Sequence, residues 1–168
     1  MISIREETPH DLEAIREINR LAFLGDAEAR LVERLRSEGL ALVSLVALDG
    51  GCAAGHILFS RLRIDTANGE LRAAALAPMA VRPELQRRGI GSHLVERGLA
   101  LCRERGETII IVVGHPGYYP RFGFSPGLAR GLDCVYSGPA FMALELAPGA
   151  LGDGRGTVRY PDAFEAFE

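Results

Sequence analysis

LAPMAVRPELQRRGIGS, residues 76–92, is the stretch around which the chain is organised. It opens as an apolar strand interrupted by Pro78 and passes through the polar turn Arg82-Pro83-Glu84-Leu85. It then runs through Gln86-Arg87-Arg88-Gly89-Ile90-Gly91 into a helix. Glycine takes up dihedrals closed to other residues and lets a ligand approach the backbone. The unpaired amides and dipole of a helix start favour an anion, and Arg87 and Arg88 add two positive charges beside them. A diphosphate suits such a place.

The flanks of this stretch read as sheet and helix. Before it, Leu40 to Leu48 is nearly continuous aliphatic and reads as a strand covered on both faces. Asp49-Gly50-Gly51 is a hairpin turn, Cys52 to Asp65 the returning strand, Asn68-Gly69 a second turn, and Glu70 to Val81 the next strand. This is an antiparallel meander. Pro78 cannot donate to a ladder, so the third long strand is expected to bulge or lie at an edge there. Arg61, Arg63 and Arg72 read as a solvated strand face.

After the stretch, Ile90, Leu94, Val95, Leu101 and Cys102 mark one face of a helix that ends at Gly106. Thr108 to Val113 is the clearest buried strand. Gly114-His115-Pro116-Gly117 stops it, and Tyr118 to Gly123 reads as a single helical turn closed by Gly123. Pro139 to Leu146 is a late strand, Pro148 to Gly156 a glycine-rich loop, and Thr157 to Tyr160 a short alternating segment.

At the start, Ile2 to Arg5 alternates as a strand. Thr8, Pro9 and Asp11 form a helix entrance with a capping-box acid. Leu12, Ile15, Ile18, Asn19, Ala22 and Phe23 give the first helix its inner face. Gly25 breaks it, Asp26 caps a second helix with Leu31, Val32 and Leu35 inward, and Gly39 ends that one.

The chain has 168 residues, 48% hydrophobic and 24% charged, which suits one globular domain. We read a core over 1–147 and an extension over 148–168. A net charge of -3 argues against a general nucleic-acid or membrane-surface binder. The start lacks a basic segment followed by an apolar one, and no run approaches the about 18 apolar residues of a membrane span, so a cytoplasmic location is expected. Three cysteines, Cys52, Cys102 and Cys134, without a Cys-x-x-Cys pair, fit reduced thiols and no structural zinc. All 19 basic residues are arginine, which excludes a lysine-ended phosphate loop and Schiff-base chemistry.

A hairpin, a strand interrupted by proline, a Gln-x-x-Gly-x-Gly turn into a helix, a buried strand and a Tyr-x-x-x-Gly-Phe turn, in this order, resemble the GNAT superfamily of N-acetyltransferases. The segment GHPGYYPRFGF is similar to the YhbS-like branch of bacterial acetyltransferases. The resemblance covers Ile2 to Leu146. It implies an α/β fold (α+β type) with a mixed, mostly antiparallel sheet, splayed between its fourth and fifth strands and flanked by helices on both faces. It also implies acetyl-coenzyme A as cosubstrate, no metal, and a primary amine acceptor, either a small molecule or a peptide or protein amine.

Residue by residue, the resemblance places the coenzyme diphosphate on the amides from Arg87 to Ser92, through Arg88, Gly89, Ile90 and Gly91, with Gln86 opening the motif. Met79, Ala80 and Val81 match the strand segment that pairs with the pantetheine arm and polarises the thioester carbonyl. Tyr119 matches the tyrosine that protonates the departing thiolate. Asp26 and Glu28 fall in the inter-helix loop that borders the acceptor groove, where an acid would hold an ammonium group. Many members carry an asparagine in the loop where this chain has Gly114-His115-Pro116-Gly117-Tyr118, so that coenzyme contact is not carried over. No glutamate matches a general base.

Plainer readings stand beside these. Gly89-Ile90-Gly91 lacks the third glycine of a dinucleotide fingerprint and follows a meander rather than a βαβ unit. Tyr119 is also explained as a packed aromatic, Asp26 as a helix cap, His115 as a structural contact at a strand end, and Cys52 and His56 as core packing. An acyl-coenzyme A-sensing module without turnover is the alternative in function. The acceptor and the oligomeric state, a homodimer included, stay open.

Overall fold

Turn chemistry and alternation set the strands, and the computed structural model describes residues Met1–Phe167. The chain runs β1 (Ile2–Glu6), α1 (Leu12–Phe23), α2 (Ala27–Ser37), β2 (Ala41–Asp49), β3 (Cys52–Thr66), β4 (Gly69–Val81) and α3 (Ile90–Glu104). It continues with β5 (Ile109–Val113), α4 (Pro126–Ala129), β6 (Leu132–Asp133), β7 (Phe141–Glu145) and β8 (Gly156–Arg159). Single 3-10 turns lie at Pro9–Asp11, Pro83–Leu85 and Tyr119–Phe122, and a longer one at Asp162–Phe167.

The sheet has the order β1-β2-β3-β4-β5-β7, with β8 on β3 and β6 on β8. It is mixed, mostly antiparallel and open. β4 and β5 are parallel, and their ladder holds Ala74↔Ile110 and Ala75↔Ile111. Pro78 lies beyond the two β4–β5 pairs, so no rung of that ladder reaches it. Pro78 is buried and follows a cis peptide bond.

The residues cluster into two units, and β3 and β4 each pass through both. The first comprises Met1–Ser60 and Ala77–Leu101. Its β2–β3 hairpin turns through Gly50 and Gly51, both left-handed as expected. Asp11 closes the entrance to α1 by accepting from the Thr8 amide at 2.7 Å and pairing with Arg5 at 2.7 Å. These bonds outweigh burial and hold its carboxyl at about 2; the largest is from Arg5. α1 ends differently from expectation: Leu24, 92% exposed, takes the left-handed position ahead of Gly25. Leu12 and Phe23 are exposed, so the buried face is narrower, with Ile15, Ile18 and Asn19.

α3 lies directly on β3. A Cβ on Gly98 would come within 2.3 Å of Phe59 Cε2, and one on Gly55 within 3.1 Å of Leu94 Cδ1 and 3.3 Å of Ile90 Cγ2. Gly55 and Gly98 therefore set the height of the helix. Gly98 and Leu99 are buried on this face, where the sequence spacing pointed to Leu101.

The second unit comprises Arg61–Leu76 and the chain from Cys102 onward. Its β5–β7 ladder runs from Ile109↔Glu145 to Val113↔Phe141. Arg61 is not solvated. It is part-buried, holds Glu107 through two hydrogen bonds of 2.7 and 2.6 Å, and donates to the Ala73 carbonyl. Arg63 and Arg72 are exposed. The segment after Pro148 is built into the sheet: β8 pairs with β3 from Arg63↔Arg159 to Asp65↔Thr157. Gly156 permits this, since a Cβ there would meet the Asp65 carbonyl oxygen at 2.8 Å.

Candidate active site

The loop before α3 is held from below. The Arg82 amide donates to the Ala54 carbonyl at 2.9 Å, and Arg82 Nε donates to the Ala53 carbonyl at 2.7 Å. Gln86 Nε2 donates to the Val81 carbonyl at 3.0 Å, so this side chain shapes the turn. Arg87 then adopts φ 67° and Gly89 φ 81°. A non-glycine residue pays for such a conformation, and loops that bind ligands are where it recurs. The first α3 bond runs from the His93 amide to the Gly89 carbonyl. Among the described residues, the amides of Arg88, Gly89, Ile90 and Gly91 have no acceptor. Arg87 and Arg88 are exposed beside them. The loop thus offers several donors and two guanidinium groups at the positive end of a 15-residue helix. This arrangement suits a polyanion.

Met79 is half-buried, and Ala80 and Val81 are buried. All three lie beyond the end of the β4–β5 ladder.

Tyr119 is a residue of the second unit. Its turn closes at Gly123, φ 99°, and its amide donates to the His115 carbonyl at 3.2 Å. The ring lies on Gly114, where a Cβ would be 2.3 Å from Cε2. Tyr118 and Phe124 meet it edge-on, with centroids at 5.0 and 5.7 Å. Tyr119 is 8% exposed. Burial, with a smaller contribution from Tyr118, pushes its phenol up to about 12. It is therefore protonated across the neutral range. His115 is exposed and contributes its carbonyl, which also accepts from the Tyr118 amide.

Asp26 stands at the N-cap position of α2, but its side chain makes no cap bond. Arg20 Nε takes it at 2.7 Å, with Arg30 at 3.9 Å. Glu28 is half-buried in the first turn of α2.

His56, read from sequence as a packed strand residue, has no exposure and sits in a polar chain. Asn19 Nδ2 approaches its Nδ1 at 3.4 Å, and its Nε2 is 2.8 Å from Ser44 Oγ. Ser44 hydrogen-bonds Glu7, which also holds Arg36 at 2.9 and 3.0 Å. Burial raises the Glu7 carboxyl, but the bonds from Arg36 and Ser44 outweigh it and leave it below the ordinary glutamate range. Burial holds the His56 imidazole down at about 4, with Glu7 raising and Arg36 lowering it. The imidazole is neutral, and Nε2–H donates to Ser44 while Ser44 donates to Glu7. The Cys52–His56 parity missed this network because its members come from five separate positions along the chain.

No group of three or more His, Cys, Asp or Glu among the described residues is arranged to hold a metal ion. Among them, too, no helix is long and apolar enough to cross a membrane.

The family profile of the acetyltransferase (GNAT) domain matches residues 3–127. The chain belongs to the GNAT acetyltransferase family. It is 35% identical over 167 residues to the uncharacterized N-acetyltransferase YhbS of Escherichia coli K12, covering 98% of this chain and 99% of that one. The crystal structure of E. coli YhbS in complex with CoA superposes with a TM-score of 0.89 at 35% identity, over 99% of this chain and 93% of the other. A GNAT family acetyltransferase from Brucella melitensis, in complex with acetyl-CoA, gives 0.81 at 33% identity over 98% of both. For a GNAT chain, the donors gathered at Arg88–Gly91 lie where the Gln-x-x-Gly-x-Gly motif stands.

Proposed function

We propose that the chain binds acetyl-CoA on the loop from Gln86 to Ser92 and transfers the acetyl group to a primary amine by direct attack, in the cytoplasm and without a metal. The observation that carries this is the loop itself: residues at φ 67° and 81°, and amides at the start of α3 without acceptors among the described residues. Family membership and the CoA complexes of the two relatives support the same reading. A main-chain amide within Met79–Val81 would polarise the thioester carbonyl as charge gathers on its oxygen.

The reaction forms a C–N bond, breaks the C–S bond, removes a proton from nitrogen and delivers one to sulfur. Tyr119 is the proposed donor to sulfur. The acidity order does not drive that step: a thiol near 8.5 is a stronger acid than a phenol at about 12, so complete transfer alone is uphill by roughly 5 kcal/mol. The proton therefore moves in concert with loss of the far more acidic ammonium proton from the attacked carbon's new substituent, which restores the phenol. Until then the hydroxyl acts as a hydrogen-bond donor to the developing thiolate.

The test is release of free thiol from acetyl-CoA against a panel of amines, with calorimetry of coenzyme binding. Turnover with at least one amine supports the reading. Tight coenzyme binding with no acyl loss favours the sensing module, for which the raised phenol and the lack of a matched base speak. Absence of coenzyme binding overturns both.

A further inference from the structure

The second unit contains a cavity of about 430 Å³ between α4, β6 and the start of β7, a volume in the range of small-molecule sites. Pro126, Ala129, Leu132, Pro139 and Phe141 supply apolar wall. Ser137 also lines it, but its hydroxyl is engaged with the Cys134 amide at 3.2 Å and the Leu132 carbonyl at 3.5 Å. The remaining polar side chain on the wall is Arg130, an exposed guanidinium without an ion-pair partner among the described residues. An apolar hollow with one unneutralised cation at its rim is complementary to a molecule with an apolar body and one anionic group.

Two connections tie this cavity to Tyr119. Phe124, whose ring meets Tyr119, is followed by Ser125. Ser125 pairs with Ala143 through bonds of 2.9 and 3.1 Å and caps α4 through Oγ at 3.1 Å. On the other wall, Phe141 follows Ala140, whose carbonyl accepts from Gly114 at 2.9 Å, and Gly114 is the residue on which the Tyr119 ring lies. The same backbone that seats the phenol thus forms two walls of the hollow.

We infer that this cavity receives the acceptor, and that the acceptor class is an apolar amine carrying a carboxylate, such as a free amino acid with an aliphatic or aromatic side chain. Arg130 pairs with the carboxylate and the side chain fills the hollow. The turnover part of this rests on the acetyl-transfer reading; the binding part does not.

The binding experiment uses the full chain and the product class. N-acetyl-leucine and N-acetyl-leucinamide are titrated by calorimetry, with coenzyme A titrated in parallel. The acid binds at least tenfold more tightly than the amide, Arg130→Gln abolishes the difference, Arg130→Lys restores part of it, and coenzyme affinity stays the same throughout. No measurable binding of the acid, equal binding of acid and amide, or a preference that survives Arg130→Gln overturns the assignment. Thiol release is then compared for leucine and 3-methylbutylamine. The expected result is a KM preference for leucine that Arg130→Gln removes with kcat retained. Selective binding of the acid without thiol release from leucine would leave the cavity a binding site for such acids and overturn its role as the acceptor site, while thiol release with other amines of the panel would keep the acetyl-transfer reading.

Discussion

The turn from Gln86 to Gly91 and the turn from His115 to Gly123 are both short and both bend through left-handed residues, yet one presents its main chain and the other a side chain. In the first, Arg87 and Gly89 take φ angles of 67° and 81°, the amides that follow have no acceptor among the described residues, and Arg87 and Arg88 are exposed. In the second, the backbone bonds are spent on closing the turn and the side chain it holds is a buried phenol wedged on Gly114. A main-chain site tolerates side-chain changes and suffers from backbone ones; a side-chain site does the reverse.

The largest expected effect separates stability from chemistry. His56 in the folded chain titrates at about 4, against 6.5 when exposed. The unfolded chain binds this proton more readily, so stability rises with pH between those values and is lost as pH falls through them. The loss reaches on the order of 3 kcal/mol. Urea denaturation from pH 7.5 to 4 reads this, and His56→Gln with unchanged acid sensitivity would count against the buried imidazole as its source. Tyr119, raised to about 12, does not titrate anywhere in that range.

Next is Tyr119→Phe, which lowers kcat by about 100-fold while coenzyme affinity in calorimetry stays put; undiminished kcat would remove the proton-donor role. The same chemical change made in both turns sharpens the contrast. Gly114→Ala pushes a methyl into the Tyr119 ring, so it costs about 1–3 kcal/mol of stability and lowers kcat, with little effect on coenzyme binding. Gly89→Ala meets nothing within 4 Å and suffers only from its positive φ, so it weakens coenzyme binding by about tenfold and leaves the Tyr119 turn alone. Arg88→Ala is the smallest, about threefold in coenzyme affinity, with a shallower dependence on salt. If Arg88→Ala cost more than Gly89→Ala, the main-chain account of the first turn would be reversed.

What the chain itself settled is local. Gly50 and Gly51 demanded a hairpin, Gly123 a closed turn, and Gly89 an exposed helix start, because each of these conformations is decided within a few residues by which dihedrals a side chain allows. The turn that carries Tyr119 and the loop before α3 were legible for that reason. Tertiary structure decided the rest. Arg61 found Glu107, 46 positions away, where alternation alone implied solvent. Glu7, Asn19, Arg36, Ser44 and His56 became one network, and Asp26 turned from cap to partner of Arg20. The glycine-rich tail delivered β8 to β3, and Arg130 came to stand at the rim of an apolar cavity. Burial and pairing depend on what distant segments bring together, and no dihedral preference carries that information.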